Sequence, residues 1–388
     1  MITIQYVFFH ILLLVIFYVY SCRIAKEKST DKYWTILWIP ITAFTIEEGF
    51  RWGRHIDWCA YYYQYQDMLK GYSTTHEPFF RLIWNTFAYL ELPYYIVVAF
   101  CSFLLIYSLC FFCKPYWKYA YILLPFLVVW IAPKAINLIR WYMAFSFLLI
   151  GLRLFLDNKK KIAFIVFALS FFTHYAISLL IPLFLCVTYI KKFICKPWIA
   201  ILVSLGLILF FNLSFMKNFV FIVELFSGVG RFAGYVENAE GWLTGAGQNA
   251  IIERRSVIIY IISCIPFYLY IWYGKKCSNK LIKEDVILYN LAVLGLCLRS
   301  VSSGLELASR YASMFDPFLV VMAVKSLIYF GDSKRKFRLV FISIIILSMG
   351  VQFVRFCAPM EREEFMHYIW NKQISPSYLF NLYIIGNK

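Results

Sequence analysis

KAINLIRWYMAFSFLLIGLRLFLDNKKKIAFIVFALSFFTHYAISLLIPLFLCVT, residues Lys134 to Thr188, decides how the chain is read. One apolar helix, a short basic loop and a second apolar helix follow one another. Asp157-Asn158-Lys159-Lys160-Lys161 marks the loop as cytoplasmic, because basic clusters stay inside. At about 1.5 Å of rise per residue, Arg140 lies most of a bilayer back from Lys159, and His174 climbs the same way on the far side. Both side chains are therefore expected at one outer-face region, where an ionisable group marks a functional site.

The rest of the chain has the same character. Its 388 residues are 62% hydrophobic and 21% aromatic, with a mean hydropathy of +0.70. Apolar runs of bilayer length recur from end to end. The expected fold is all-α and polytopic, a single multispan membrane domain over residues 1–388. The N-terminal run lacks a basic n-region and a small-residue cleavage site, so it reads as a retained first span. Cys110-Phe-Phe-Cys113 has redox-motif spacing but sits in an apolar helix end, which makes both thiols buried hydrophobes. No zinc pattern and no Gly-rich phosphate loop is present. A net charge of +17 would suggest nucleic acid in a soluble protein. Here the charge lies in short loops beside apolar spans, which favours membrane lipids and anionic lipid-linked substrates, with no nucleic acid.

Lysine clusters at 26–32, 114–118, 159–161, 191–196, 275–283 and 334–338 set the sides. They predict about twelve spans: 3–21, 33–49, 94–113, 119–133, 138–156, 162–174, 175–190, 197–215, 256–273, 285–301, 309–330 and 338–356. The segment 162–190 has basic clusters at both ends and is expected to be a hairpin with its tip near His174. Two outer segments remain, 50–93 and 216–255. Pro78 to about Leu90 reads as an interfacial helix with proline in its first turn. The glycines of 216–255 read as a mobile loop over bound substrate.

Arginine is distributed the other way. Arg51, Arg54, Arg81, Arg140, Arg231, Arg254, Arg255, Arg299, Arg310, Arg355 and Arg362 fall on the outer side of this map. A guanidinium fork grips phosphate bidentately and stays charged when partly desolvated. An outward group of arginines therefore looks like a receptor for a pyrophosphate. The competing explanation is pairing with carboxylates such as Asp57, Glu77, Glu306 and Asp316. His174, in Phe-Phe-Thr-His-Tyr, is either a packing residue or a base for a sugar hydroxyl. Asp57 and Glu77 are rival bases, or equally caps and ion-pair partners. Tyr311 donates to phosphate or anchors at the interface. Asp316-Pro317 marks a kink.

At these residues the chain resembles the EpsG/Wzy family of bacterial polysaccharide polymerases. Gly53-Arg54-His55-Ile56-Asp57 with its following Tyr run resembles the first outer-loop G-x-D…Y pattern, departing from it by His55. Glu77-Pro78-Phe79-Phe80 resembles the E-P-x-[FY] element. Arg140 followed after ten residues by Gly151 is similar to Arg-x(10)-Gly. Phe172-Thr173-His174 and Ser309-Arg310-Tyr311 resemble the family's F-H and late Arg-Tyr elements.

The resemblance implies a GT-C-like or Wzy-like helical bundle in the bacterial cytoplasmic membrane, with its active site facing outward. It implies a glycosyltransferase that moves a growing glycan from undecaprenyl pyrophosphate onto the non-reducing end of a lipid-linked repeat unit. No cofactor and no metal are expected. The partners would be the lipid-linked donor and acceptor, together with a chain-length regulator protein. Candidate catalytic residues are His174, Asp57 and Glu77. Candidate pyrophosphate ligands are Arg140, Arg310, Arg299, Arg51, Arg54 and Tyr311. Two other functions remain open on the residues: an O-antigen-type ligase or other polyprenyl-dependent transferase, and a lipid-oligosaccharide flippase. A flippase would place charge near the midplane, often with internal symmetry.

Overall fold

The computed structural model describes residues 2–54, 56–72, 76–136, 138–211, 257–302, 306–331, 335–357 and 367–371. The segment 216–255, read above as a mobile loop, lies outside the described residues. Among the described residues the regular structure is helical except for one two-stranded pair, and the chain divides into two compact units.

The first unit comprises residues 1–186 and 349–386. Its helices are α1 (Ile2–Lys26), α2 (Tyr33–Gly49), α3 (Ile56–Leu69), α4 (Pro78–Tyr89), α5 (Tyr94–Cys113), α6 (Ala120–Ala135), α7 (Ile139–Leu156) and α8 (Lys160–Thr173), followed at the junction by α9 (Leu180–Tyr189). α1 packs on α2 and α6, α2 on α5, α5 on α7, and α7 on α8. Strand β1 (Arg51–Trp52) pairs antiparallel with β2 (His367–Tyr368), bringing the far end of the chain back to the end of α2.

α7 stops in a Schellman motif. Asn158 takes positive φ, and the Asn158 and Lys159 amides return to the Phe155 and Leu154 carbonyls. That turn reverses the chain and lays α8 along α7. α4 begins with Pro78, whose missing N–H costs nothing at a first turn. It buries one stripe, Phe80, Trp84 and Ala88. These join Trp58, Tyr65, Tyr94, Val97, Ile139 and Met143 in a single aromatic-rich core. α4 is thereby held against the ends of the longer helices, and Glu77 sits at its N-cap position.

The second unit comprises residues 187–348 with 387–388. It contains α10 (Pro197–Phe210), α11 (Val257–Cys277), α12 (Lys283–Val301), α13 (Glu306–Ser313), α14 (Asp316–Phe330) and most of α15 (Arg335–Cys357). α11 packs on α14, and α12 on α10, α13 and α14. Ser204 joins Ser300 at 2.6 Å and Tyr268 at 3.1 Å, tying α10, α11 and α12 with hydroxyls. The chain breaks between Ser313 and Asp316, so 309–330 is two helices with Pro317 in the first turn of the second.

The expected twelve spans are not all seen among the described residues. Among the described residues five stretches are long and apolar enough to cross a membrane: Ile4–Lys26, Tyr94–Ala135, Ile139–Leu156, Val257–Cys277 and Lys336–Val354. Tyr94–Ala135 is a 42-residue run holding two of the expected spans. It is divided into α5 and α6 by a tight turn at Lys114–Tyr119, where Tyr116 leaves helical geometry. α8, α9, α10 and α14 have 14, 10, 14 and 15 residues, shorter than the roughly 20 residues a bilayer core asks of a helix. α12 is long enough but carries Lys283, Glu284, Asp285 and Arg299. Cys110 and Cys113 are both buried in α5, as their apolar setting suggested.

Candidate functional site

The first unit gathers its chemistry around Glu77. An N-cap carboxylate ordinarily accepts from the amides of its own helix. Glu77 makes no such cap and spends its oxygens on other elements. Oε2 accepts from Nη1 of Arg140 at 2.8 Å. Oε1 lies 3.0 Å from Nδ1 of His174 and 3.3 Å from the Tyr175 amide. Residues 77, 140 and 174, far apart in sequence, thus meet at one carboxylate.

Helix packing explains the meeting. Arg140 opens α7, and His174 is the first residue beyond α8, where φ −158° ends the helix. Ser170 of α8 donates to the Ala144 carbonyl of α7 at 2.7 Å. Each of these lies one turn from its functional neighbour, so the bond sets Arg140 and His174 at the same height. The Trp141 ring stands edge-on to His174 at 5.2 Å between centroids, fixing the imidazole plane.

Protonation follows from who can donate. Burial alone would raise the Glu77 carboxyl, but the His174 hydrogen bond and the Arg140 charge outweigh it and hold it at about 2. An ionised carboxylate only accepts. His174 therefore donates through Nδ1–H, and in its neutral form the lone pair is on Nε2. This is a carboxylate–imidazole pair of the kind that orients a general base. A further residue, absent from the sequence-based candidates, joins the group: His76 lies with Nδ1 2.7 Å from the same Nη1 of Arg140.

The EpsG family profile matches residues 33–370, from the start of α2 to Trp370 beyond β2. The chain belongs to the EpsG family. No curated protein and no solved structure matches it. Glu77, Arg140, His174 and Arg310 all lie within the matched part of this EpsG-family chain.

The other arginines expected to hold pyrophosphate have different surroundings. Arg51 and Arg54 are buried, at 3% and 0% exposure. Arg51 pairs with Glu48 at 3.4 Å, and Arg54 with Glu47 and Glu48 at 3.7 and 3.6 Å. The Arg54 guanidinium also lies 4.4 Å from the Tyr6 ring centroid and 4.7 Å from that of Tyr368. Tyr368 closes the cluster by donating to Glu47. Both arginines act as counter-ions for two carboxylates at the end of α2. His10, Glu47 and Glu48 present possible metal ligands within 4.8 Å of one another. Arg51 and Arg54 already neutralise the two carboxylates, so a divalent ion there would leave excess buried charge. The adjacent cavity, lined by Phe44, Glu48, Arg51, Ser102 and Tyr142 among others, has about 20 Å³ of space for water centres, room for a water rather than a sugar phosphate.

Asp57 is half-buried in the first turn of α3, one turn before Tyr61. In the second unit Arg299 is ion-paired to Asp316 across the α13 break and lies 4.6 Å from the Phe267 ring. Arg310 and Tyr311 are half-buried on the short helix α13.

Proposed function

We propose that this EpsG-family chain is a polysaccharide polymerase. It transfers a growing glycan from undecaprenyl pyrophosphate to the non-reducing end of a lipid-linked repeat unit, at the outer face of the bacterial cytoplasmic membrane. The observation that carries the reading is the single carboxylate, Glu77, shared by Arg140 and His174.

Glycosyl transfer from a diphosphate needs a base for the acceptor hydroxyl and positive charge for the leaving group. In the proposed reaction His174 Nε2 takes the proton from the acceptor hydroxyl. That oxygen bonds to the anomeric carbon of the donor. The anomeric carbon–oxygen bond breaks, and its electron pair leaves with the diphosphate beside Arg140. Before the step, Glu77, Arg140 and neutral His174 sum to zero charge. After it, the imidazolium makes the group cationic as the leaving oxygens gain charge. Glu77, held at about 2, is too weak a base for this proton and serves to orient His174. That choice separates His174 from Glu77 as the base, and Asp57 is tested by its own alanine variant. Arg310 of the second unit remains a proposed phosphate ligand, tested by its own alanine variant.

The test is reconstitution of the purified protein in lipid vesicles with a synthetic lipid-diphosphate-linked repeat unit. A ladder of lengthening products supports the reading. Single transfer to a different acceptor would replace it with a ligase, and movement of intact lipid-linked sugar with no bond made would replace it with a flippase.

A further inference from the structure

His76 and Glu77 are consecutive residues, and both address one nitrogen of Arg140. A guanidinium only donates. The 2.7 Å contact therefore makes Nδ1 of His76 the acceptor and leaves its proton on Nε2. Nε2 in turn faces Oε1 of Gln64 on α3, an acceptor that suits that tautomer. The two imidazoles flanking the Arg140–Glu77 pair thus take opposite tautomers, His174 protonated on Nδ1 and His76 on Nε2.

Nη1 of Arg140 carries two hydrogens, and both are used, at 2.7 Å to His76 and 2.8 Å to Glu77. Two acceptors on one nitrogen fix the plane and direction of the whole guanidinium. Nη2 accordingly carries the open edge: among the described residues nothing accepts from it, and the Arg140 side chain is 22% exposed. The chemistry of the second acceptor matters as much as its place. A carboxylate at position 76 would give the group a net negative charge and repel an anionic ligand. A neutral imidazole holds the guanidinium without cancelling its charge.

We propose that His76, set by Gln64, is the positioning residue that aims the Nη2 edge of Arg140 at a diphosphate ligand. The proposal rests on the polymerase reading for the identity of that ligand. It rests on geometry alone for the aiming of Arg140.

Two substitutions separate the role from mere bulk. In His76→Asn the side-chain oxygen falls near the position of Nδ1 and supplies a neutral acceptor. In His76→Gln the amide reaches the Nε2 position and leaves Nη1 without its partner. Extension is measured in vesicles over a range of lipid-diphosphate donor concentrations. His76→Asn should stay within about threefold of the parent. His76→Gln should lose on the order of 10-fold to 100-fold in kcat/KM for the donor, the scale expected of a displaced catalytic group, with acceptor KM unchanged. Equal activity of the two variants, whether high or low, would overturn the proposal, as would a loss confined to acceptor KM. Cryo-EM maps of the two variants give a readout that needs no polymerase activity. Arg140 should keep its parental direction in His76→Asn and swing away in His76→Gln. An unmoved Arg140 in both would overturn the proposal even with an active enzyme. Absence of extension by the parent protein would overturn the polymerase reading instead.

Discussion

Gly151 on α7 lies against the ring of Phe167 on α8, so closely that a Cβ at Gly151 would fall 2.6 Å from the ring carbons. This contact gives the Arg140-to-Gly151 spacing a physical meaning. The glycine lets two antiparallel helices approach, and Ser170, one turn before His174, then reaches the Ala144 carbonyl, one turn after Arg140. The approach at the glycine and the meeting at Glu77 are two ends of one packed pair.

Substituting Gly151→Val should therefore act at a distance. Overpacking at a tight site costs about 1–3 kcal/mol, and here it would also part α7 from α8, whose other ends carry Arg140 and His174 to Glu77. Expected outcomes are a lower unfolding temperature in detergent and shorter glycan chains. Phe167→Ala in the same protein should recover part of both, because it clears the space the new side chain needs. Additive losses in the double variant would contradict this coupling.

Arginines of two kinds should fail in two ways. Arg54→Ala leaves Glu47 and Glu48 short of a buried counter-ion, a change that costs about 3–5 kcal/mol. It should reduce the amount of protein in the membrane. Arg140→Ala removes a partly exposed guanidinium, and should leave protein level near normal while abolishing long chains. Immunoblots of membranes beside glycan gels check both, and the reverse pattern would contradict the assignment.

Glu77 should make stability depend on pH in a defined direction. Its folded carboxyl is held at about 2, below the value of about 4.3 for an unfolded glutamate. The unfolded chain therefore binds the proton first as pH falls. The stabilising contribution is complete above about pH 5 and fades as pH drops toward 2. Unfolding temperatures of the parent and Glu77→Gln, measured from pH 7 to pH 3, should converge at the acid end. A difference that stays constant would contradict the bonding described for this carboxylate.

Arg51 pairs with Tyr368 across β1 and β2, and on the proposed topology both segments face outward. Tyr72 and Trp370, at 67% and 48% exposure, are suitable reporters. Cysteines placed there singly, in a background freed of native cysteines, should both react with an impermeant thiol reagent added to intact cells. Reaction of one from outside and the other only after lysis would contradict the pairing.

Much of the first unit was legible in sequence. Helical spacing on either side of the Lys159–Lys161 loop placed Arg140 and His174 at a common height, and Glu77-Pro78 announced a helix start beside a carboxylate. His76 was not legible, because a histidine in a polar segment gives no sign of what it faces until α3 and α7 are folded around it. Arg51 and Arg54 were expected to bind phosphate. Their pairing with Glu47-Glu48 also had a signal, two carboxylates closing an apolar helix and needing buried cations. Tyr368, which completes their enclosure, lies more than 300 residues away, and no local pattern connects it to α2. The number of spans was less legible. Hydropathy marks apolar runs, but it does not show where α8, α9 and α14 stop short of bilayer length.

The most direct test of the central claim is the glycan ladder made by cells whose only copy carries Arg140→Ala or His174→Ala, with membrane protein at the parental level. The account predicts that both variants make single repeat units and no long chains. Ladders of normal length in either variant would contradict the transfer site at Glu77, Arg140 and His174.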